Sequence, residues 1–119
     1  MAPNLRHAED LRWFLVIPAS VDPRAAGILE WRIAGGSAFI VRATDMARAI
    51  RQYEESVRRL GLGLPHRTGA YRPMHHALRS AADAGTPVTV TALETCRAAD
   101  LAARKAHWQA LRAVPGADA

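Results

Sequence analysis

The chain has one cysteine, Cys96, so it cannot close an internal disulfide, and so sparse a cysteine content fits a reducing compartment. Long apolar runs are also missing. None approaches the ~20 consecutive residues that a membrane helix needs, so no membrane partner is expected. The N-terminus has no basic segment leading into an apolar run and a small-residue cleavage site, so a secretory signal is not expected. A cytoplasmic location is the expectation that follows. Internal repeats and composition-biased linkers are absent as well, which leaves the 119 residues as one small domain with one modest core.

Hydrophobic residues make up 50% and charged residues 23%, an ordinary globular balance that excludes a disordered chain. The formal net charge is +5, which favours polyanionic partners: nucleic acid first, an acidic protein surface second. The abundance of alanine and arginine matches a GC-rich bacterial or phage genome.

Residues 1–10 are polar and expected to fray. Residues 11–17 hold Trp13, Phe14, Leu15, Val16 and Ile17 before Pro18, and read as an accessory strand or a strap over the core. Residues 19–26 are a connector with an Asp22-Pro23 turn. Two alternating segments around Ala34-Gly35-Gly36-Ser37 predict a tight β-hairpin, with Gly35 and Gly36 supplying positive φ. Alternation puts Leu29, Trp31 and Ile33 on one face and Ile28, Glu30 and Arg32 on the other. Asp45 is the expected N-cap of a helix over 45–60 with the stripe Met46, Ile50, Tyr53, Val57 and Leu60. A loop over 61–70 precedes a helix opening at Pro73, burying Met74, Ala77, Leu78 and Ala81, and stopping at Gly85. The β-branched run from Val88 to Leu93 is the clearest strand. A last helix is expected over 98–112, with Leu101, Trp108 and Leu111 inward and Pro115-Gly116 beyond it.

The hairpin carries Gly27-Ile28-Leu29 and Phe39-Ile40-Val41, and the elements run β-β-α-α-β-α. With the loop Gly63-Leu64-Pro65-His66-Arg67-Thr68-Gly69 and the helix start Tyr71-Arg72-Pro73-Met74-His75-His76-Ala77-Leu78, residues 27–112 resemble a GIY-YIG nuclease domain with degenerate motifs. The resemblance implies an α+β fold: a small antiparallel three-stranded sheet flanked by helices. Residues 1–26 are then an N-terminal extension and 113–119 a tail.

The family's chemistry, as the resemblance implies it, uses two hairpin phenols near the attacking water, an arginine on the first helix and a metal-holding glutamate on the last. Here Leu29 and Phe39 stand at the phenol positions and can neither accept nor donate a proton. Val41 replaces the closing glycine and crowds the approach of a phosphate. Arg48 falls at the arginine, with Arg51 one turn on; the bland alternative is a solvated face paired with Glu55. Lys105 falls at the glutamate and repels a divalent cation, or else snorkels to water from the core edge.

Tyr71 is the remaining loop phenol and a candidate for an acid–base or phosphate contact, against packing at the helix start. Glu94, with Glu30, is a relocated metal ligand in an active site, or else a solvated strand-end charge or helix-start residue. His75 and His76, adjacent on a helix, diverge by ~100° and make poor metal geometry; with His66 they are candidates for phosphate contact, against plain surface histidines. His107 stands alone, Cys96 lacks zinc-spaced partners, and Trp13, Trp31 and Trp108 read as core rather than as base-stacking platforms.

Three readings remain. The first is a catalytically degenerate domain that binds nucleic acid or phosphate through Arg42, Arg48, Arg51, Arg67 and Lys105, without a cofactor. The second is an active nuclease using Tyr71, Arg48 and Glu94 with magnesium. The third is a non-enzymatic inhibitor or interaction module of phage or mobile-element type.

Overall fold

The computed structural model describes residues 11–112. The readings made for residues 1–10, for the 113–119 tail and for Pro115-Gly116 lie outside them. The elements are β1 (Trp13–Val16), β2 (Gly27–Ile33), β3 (Ala38–Ala43), α1 (Met46–Gly61), α2 (Pro73–Asp83), β4 (Val88–Thr95), and α3 (Leu101–Arg112), the last entered through a 3₁₀ turn at Ala98–Asp100.

Local chemistry sets most of the boundaries. The Asp45 carboxylate accepts from the Arg48 N–H at 3.1 Å and caps α1. Pro73 occupies the first turn of α2, where its missing N–H costs nothing. Gly85, at φ +68°, turns the chain from α2 toward β4. In the hairpin only Gly35 has positive φ, not both glycines. The last β2–β3 partners are Arg32 and Ala38, and the Ile33 N–H closes on the Ser37 carbonyl at 2.9 Å, so the loop is longer than a two-residue turn.

The expected three-stranded antiparallel sheet is in fact a four-stranded mixed sheet in the order β1-β4-β2-β3. β2 pairs antiparallel with β3 and β4, and β1 adds to the outer edge of β4 in parallel. A parallel pair needs a long crossover, and here the whole hairpin and both middle helices form it. No periodicity within residues 11–17 encodes so distant a partner.

Each face of the sheet carries its own core. Leu29, Trp31, Val41, Val88 and Val90 face α1 and α2 and pack with Met46, Ile50, Val57, Met74 and Leu78. Leu11, Trp13 and Val21 belong to this same cluster. On the other face Ile28 and Ile40 meet Leu101, with Leu93 and Trp108 at the margin. The hairpin alternation is as read. The α3 stripe is not: Leu101 is buried and Trp108 half-buried, but Leu111 is 63% exposed. The last turn of α3 is held by charge instead. Arg112 lies over the Trp108 ring and 3.8 Å from the buried Glu30, which also bonds Arg32 at 3.2 Å.

Candidate functional site

Two clefts open side by side along α1. The first, about 700 Å³, lies where the end of β3 and the start of α1 approach α3. Arg42 from β3, Arg48 from α1, Arg72 at the start of α2 and Lys105 from α3 all line it. Among the described residues the only carboxylate in its wall is Asp45, whose Oδ1 already accepts from the cap N–H. Among the described residues, no carboxylate lies within 4 Å of the guanidinium groups of Arg42, Arg48 or Arg72. Three guanidinium groups from separate elements, with no such carboxylate partner among the described residues, favour a positive field in the cleft.

The second cleft, about 690 Å³, lies between α1, the 61–72 loop and the start of α2. Tyr53, His66, Tyr71 and His75 bring their rings to its wall, with Gln52, Ser56 and Thr68 among them. Gln52, Tyr53 and Arg72 line both clefts, so the two are adjacent.

The loop that forms this wall is tied down by its own polar groups. The Tyr71 hydroxyl donates to the Leu64 carbonyl at 2.7 Å. The His66 Nδ1 accepts from the Thr68 and Gly69 N–H groups at 3.2 and 3.1 Å. Arg59 donates twice to the Pro65 carbonyl, and Arg67 pairs with Glu55. Glu55 is therefore taken by Arg67 and not by the helix arginines.

His75 is buried, not a surface residue. Its Nδ1 accepts from the Arg72 N–H at 2.9 Å, closing the first turn of α2. Burial, then the charges of His66, Arg72 and His76, lower its pKa from 6.5 to about 4. The His75 ring is consequently neutral at pH 7, with its proton on Nε2. The sequence gives this away only by position, since a polar side chain at the third helical residue is placed to reach back to the cap N–H.

The expected site residues are divided by this geometry. Arg42, Arg48 and Lys105 share the basic cleft, and Arg72 joins them although the sequence offered no signal beyond its neighbourhood to Pro73. Arg67 and Tyr71 line the aromatic cleft instead. Arg51 lines neither and is exposed. Leu29 and Phe39 are buried in the α1/α2 core, and Val41 borders the basic cleft.

Glu94 is outside both clefts. Its Oε1 accepts from Arg104 Nε at 2.6 Å and Trp108 Nε1 at 2.8 Å, pinning α3 to β4. Burial works against its charge, but these hydrogen bonds and the Arg104 guanidinium outweigh it and hold the carboxyl below its usual range. Near the end of β4 it is held by two donors of α3 and lines neither cleft. Burial, with the nearby Glu94 and Asp100 carboxylates, raises the Cys96 thiol, opposite to what a nucleophilic thiolate needs.

A divalent cation does not fit the residues present. Among the described residues the cleft wall offers an amine and three guanidinium groups against one carboxylate, which caps α1. Among the described residues no group of three or more His, Cys, Asp or Glu side chains is placed to hold a metal. No helix among them is long and apolar enough to cross a membrane. No family model, curated protein or solved structure matches the chain.

Proposed function

We propose that the protein is a catalytically degenerate, GIY-YIG-like domain that binds the phosphate groups of nucleic acid in the basic cleft and does not cleave them. The observation that carries this reading is the convergence of Arg42, Arg48, Arg72 and Lys105 on one cleft whose single carboxylate among the described residues, Asp45, caps α1. Planar guanidinium forks match phosphate oxygens, and an ammonium adds a point charge between them. The reading is further supported by what stands at the positions of the resemblance. Leu29 and Phe39 bring no proton-transfer group, and Lys105 brings positive charge where a metal ligand would be required. The nuclease alternative is weakened because Glu94 is held by Arg104 and Trp108, and Tyr71 by Leu64.

The test is fluorescence anisotropy of labelled oligonucleotides across a salt series, with chelator present. Phosphate contacts of this kind predict a linear fall of log affinity against log salt, with a slope of about −2 to −4. Arg48→Ala lowers the slope by about 1 and weakens all sequences alike. Binding that is absent at low salt, or nicking of supercoiled DNA that appears with magnesium, overturns the reading.

A further inference from the structure

We propose that the aromatic cleft is a nucleobase site, so that the ligand is a single strand of nucleic acid with one base turned out of the phosphate track. This inference rests on the phosphate reading of the basic cleft and names the substrate class of the same site.

The two clefts are neighbours with three residues in common. A nucleotide joins a charged phosphate to a flat, apolar-faced ring with polar edges. The two clefts reproduce that division: cations line one, rings line the other, and Gln52, Tyr53 and Arg72 form the shared wall. At about 690 Å³ the aromatic half falls within the ~300–1,000 Å³ typical of small-molecule sites.

The rings are arranged to receive a further one. His66 and Tyr71 meet edge to face at 5.2 Å, and Tyr71 and His75 at 5.6 Å. His66 and His75 are tilted by 59° at 5.4 Å. His75 is buried and lies against Tyr53 at 5.2 Å and 31°, so the part-buried His66 and Tyr71 are the rings left to receive a base. The Tyr71 hydroxyl is committed to Leu64, which fixes the ring as a platform and removes it from proton transfer. Aromatic faces of this kind take any base, because every base has a π-face.

Polar edges have partners to meet as well. Gln52 and Ser56 lie one helical turn apart on α1 and both line the cleft. Among the described residues neither side chain has a hydrogen-bond partner. An amide that both donates and accepts, beside a hydroxyl, satisfies the edge of an unpaired base. In a duplex those edges are already paired and the ring is stacked on its neighbours, so only a single strand offers what the cleft takes.

The experiment compares four ligands with the full chain at one low salt concentration. They are short oligodeoxyuridylate, oligouridylate, a duplex of equal length, and a single strand of equal length made wholly of abasic sites. The abasic strand keeps the phosphates and removes the rings, and needs no substitution in the protein. The intact single strands are expected to bind at least about fivefold more tightly than the abasic strand. They should also bind more tightly than the duplex. Tyr71→Ala should bring the intact strand down to the abasic level while leaving the salt slope unchanged, and Tyr71→Phe should retain the affinity. A preference between the two sugars identifies the strand and leaves the inference standing. Equal binding of intact and abasic strands, or tighter binding of the duplex, overturns the base site. If Arg48→Ala still weakens binding in that case, the phosphate reading survives alone. Loss of salt-dependent binding to every ligand removes both.

Discussion

At the scale of single residues, histidine shows how far environment departs from type. His66, His75 and His76 look alike in sequence, as polar groups in and after an exposed loop. Burial separates them. His75 carries the first turn of α2 on a neutral ring, and its proton balance follows. Its pKa falls from 6.5 to about 4 on folding. Between these values the unfolded chain binds a proton that the folded chain refuses, so stability rises with pH across that window. It is complete above pH 6.5 and lost progressively as pH falls toward 4. The contribution is about 3 kcal/mol at most. Two measurements check it. The His75 ring protons in NMR should show the Nε2–H tautomer and no titration above about pH 5. Urea midpoints should drop between pH 6.5 and 4 in the wild type, and much less in His75→Gln. A His75 ring that titrates near 6.5 refutes the assignment.

Elements were legible where one physical signal dominates. Asp45, Pro73 and Gly85 mark helix boundaries through capping and φ, and each does so in the structure. The hairpin faces follow from strand alternation. The end of α3 was not legible, because an exposed Leu111 and an engaged Arg112 invert the simple rule that apolar side chains face inward. Nor did the pattern show which glycine is irreplaceable. Gly35 sits in an open turn, whereas Gly27 lies where β2, β4 and α1 meet. A Cβ there would stand 2.2 Å from the Glu94 carbonyl and 2.7 Å from the Met46 sulfur. Backbone cannot yield as a side-chain tip can. Gly27→Ala is therefore expected to cost about 1–3 kcal/mol or more through overpacking, read as a lower urea midpoint. A control at Gly69, where a Cβ has nothing within 4 Å and φ is not left-handed, should stay close to wild type. Equal midpoints for the two variants would mean that this junction is looser than its distances imply.

At the scale of the whole molecule, the division of labour between near and distant contacts decides what a sequence reveals. The basic cleft gathers β3, α1, the start of α2 and α3, and the resemblance placed Arg48 and Lys105 near one another only by analogy. Arg72 joined them through tertiary packing, which leaves no local trace. β1 is the sharper case. Its parallel partner lies beyond two helices, and only one of its four side chains, Trp13, is buried. Yet Trp13 packs edge to face on Trp31 at 6.1 Å, and with Leu11 and Val21 it completes the main core. Phe14, its neighbour, is 55% exposed. A strap that merely rests on a finished domain would make the two aromatics equally dispensable. A strand that completes the core predicts a large difference between them. Trp13→Ala should cost about 3–5 kcal/mol, while Phe14→Ala costs less than about 1 kcal/mol. A chain begun at Gly27 should lose cooperative urea unfolding, because such a loss consumes much of the ~5–15 kcal/mol that a small domain has. Retention of a sharp transition at the full-length midpoint would show that residues 27–112 fold unaided and that β1 is an appendage.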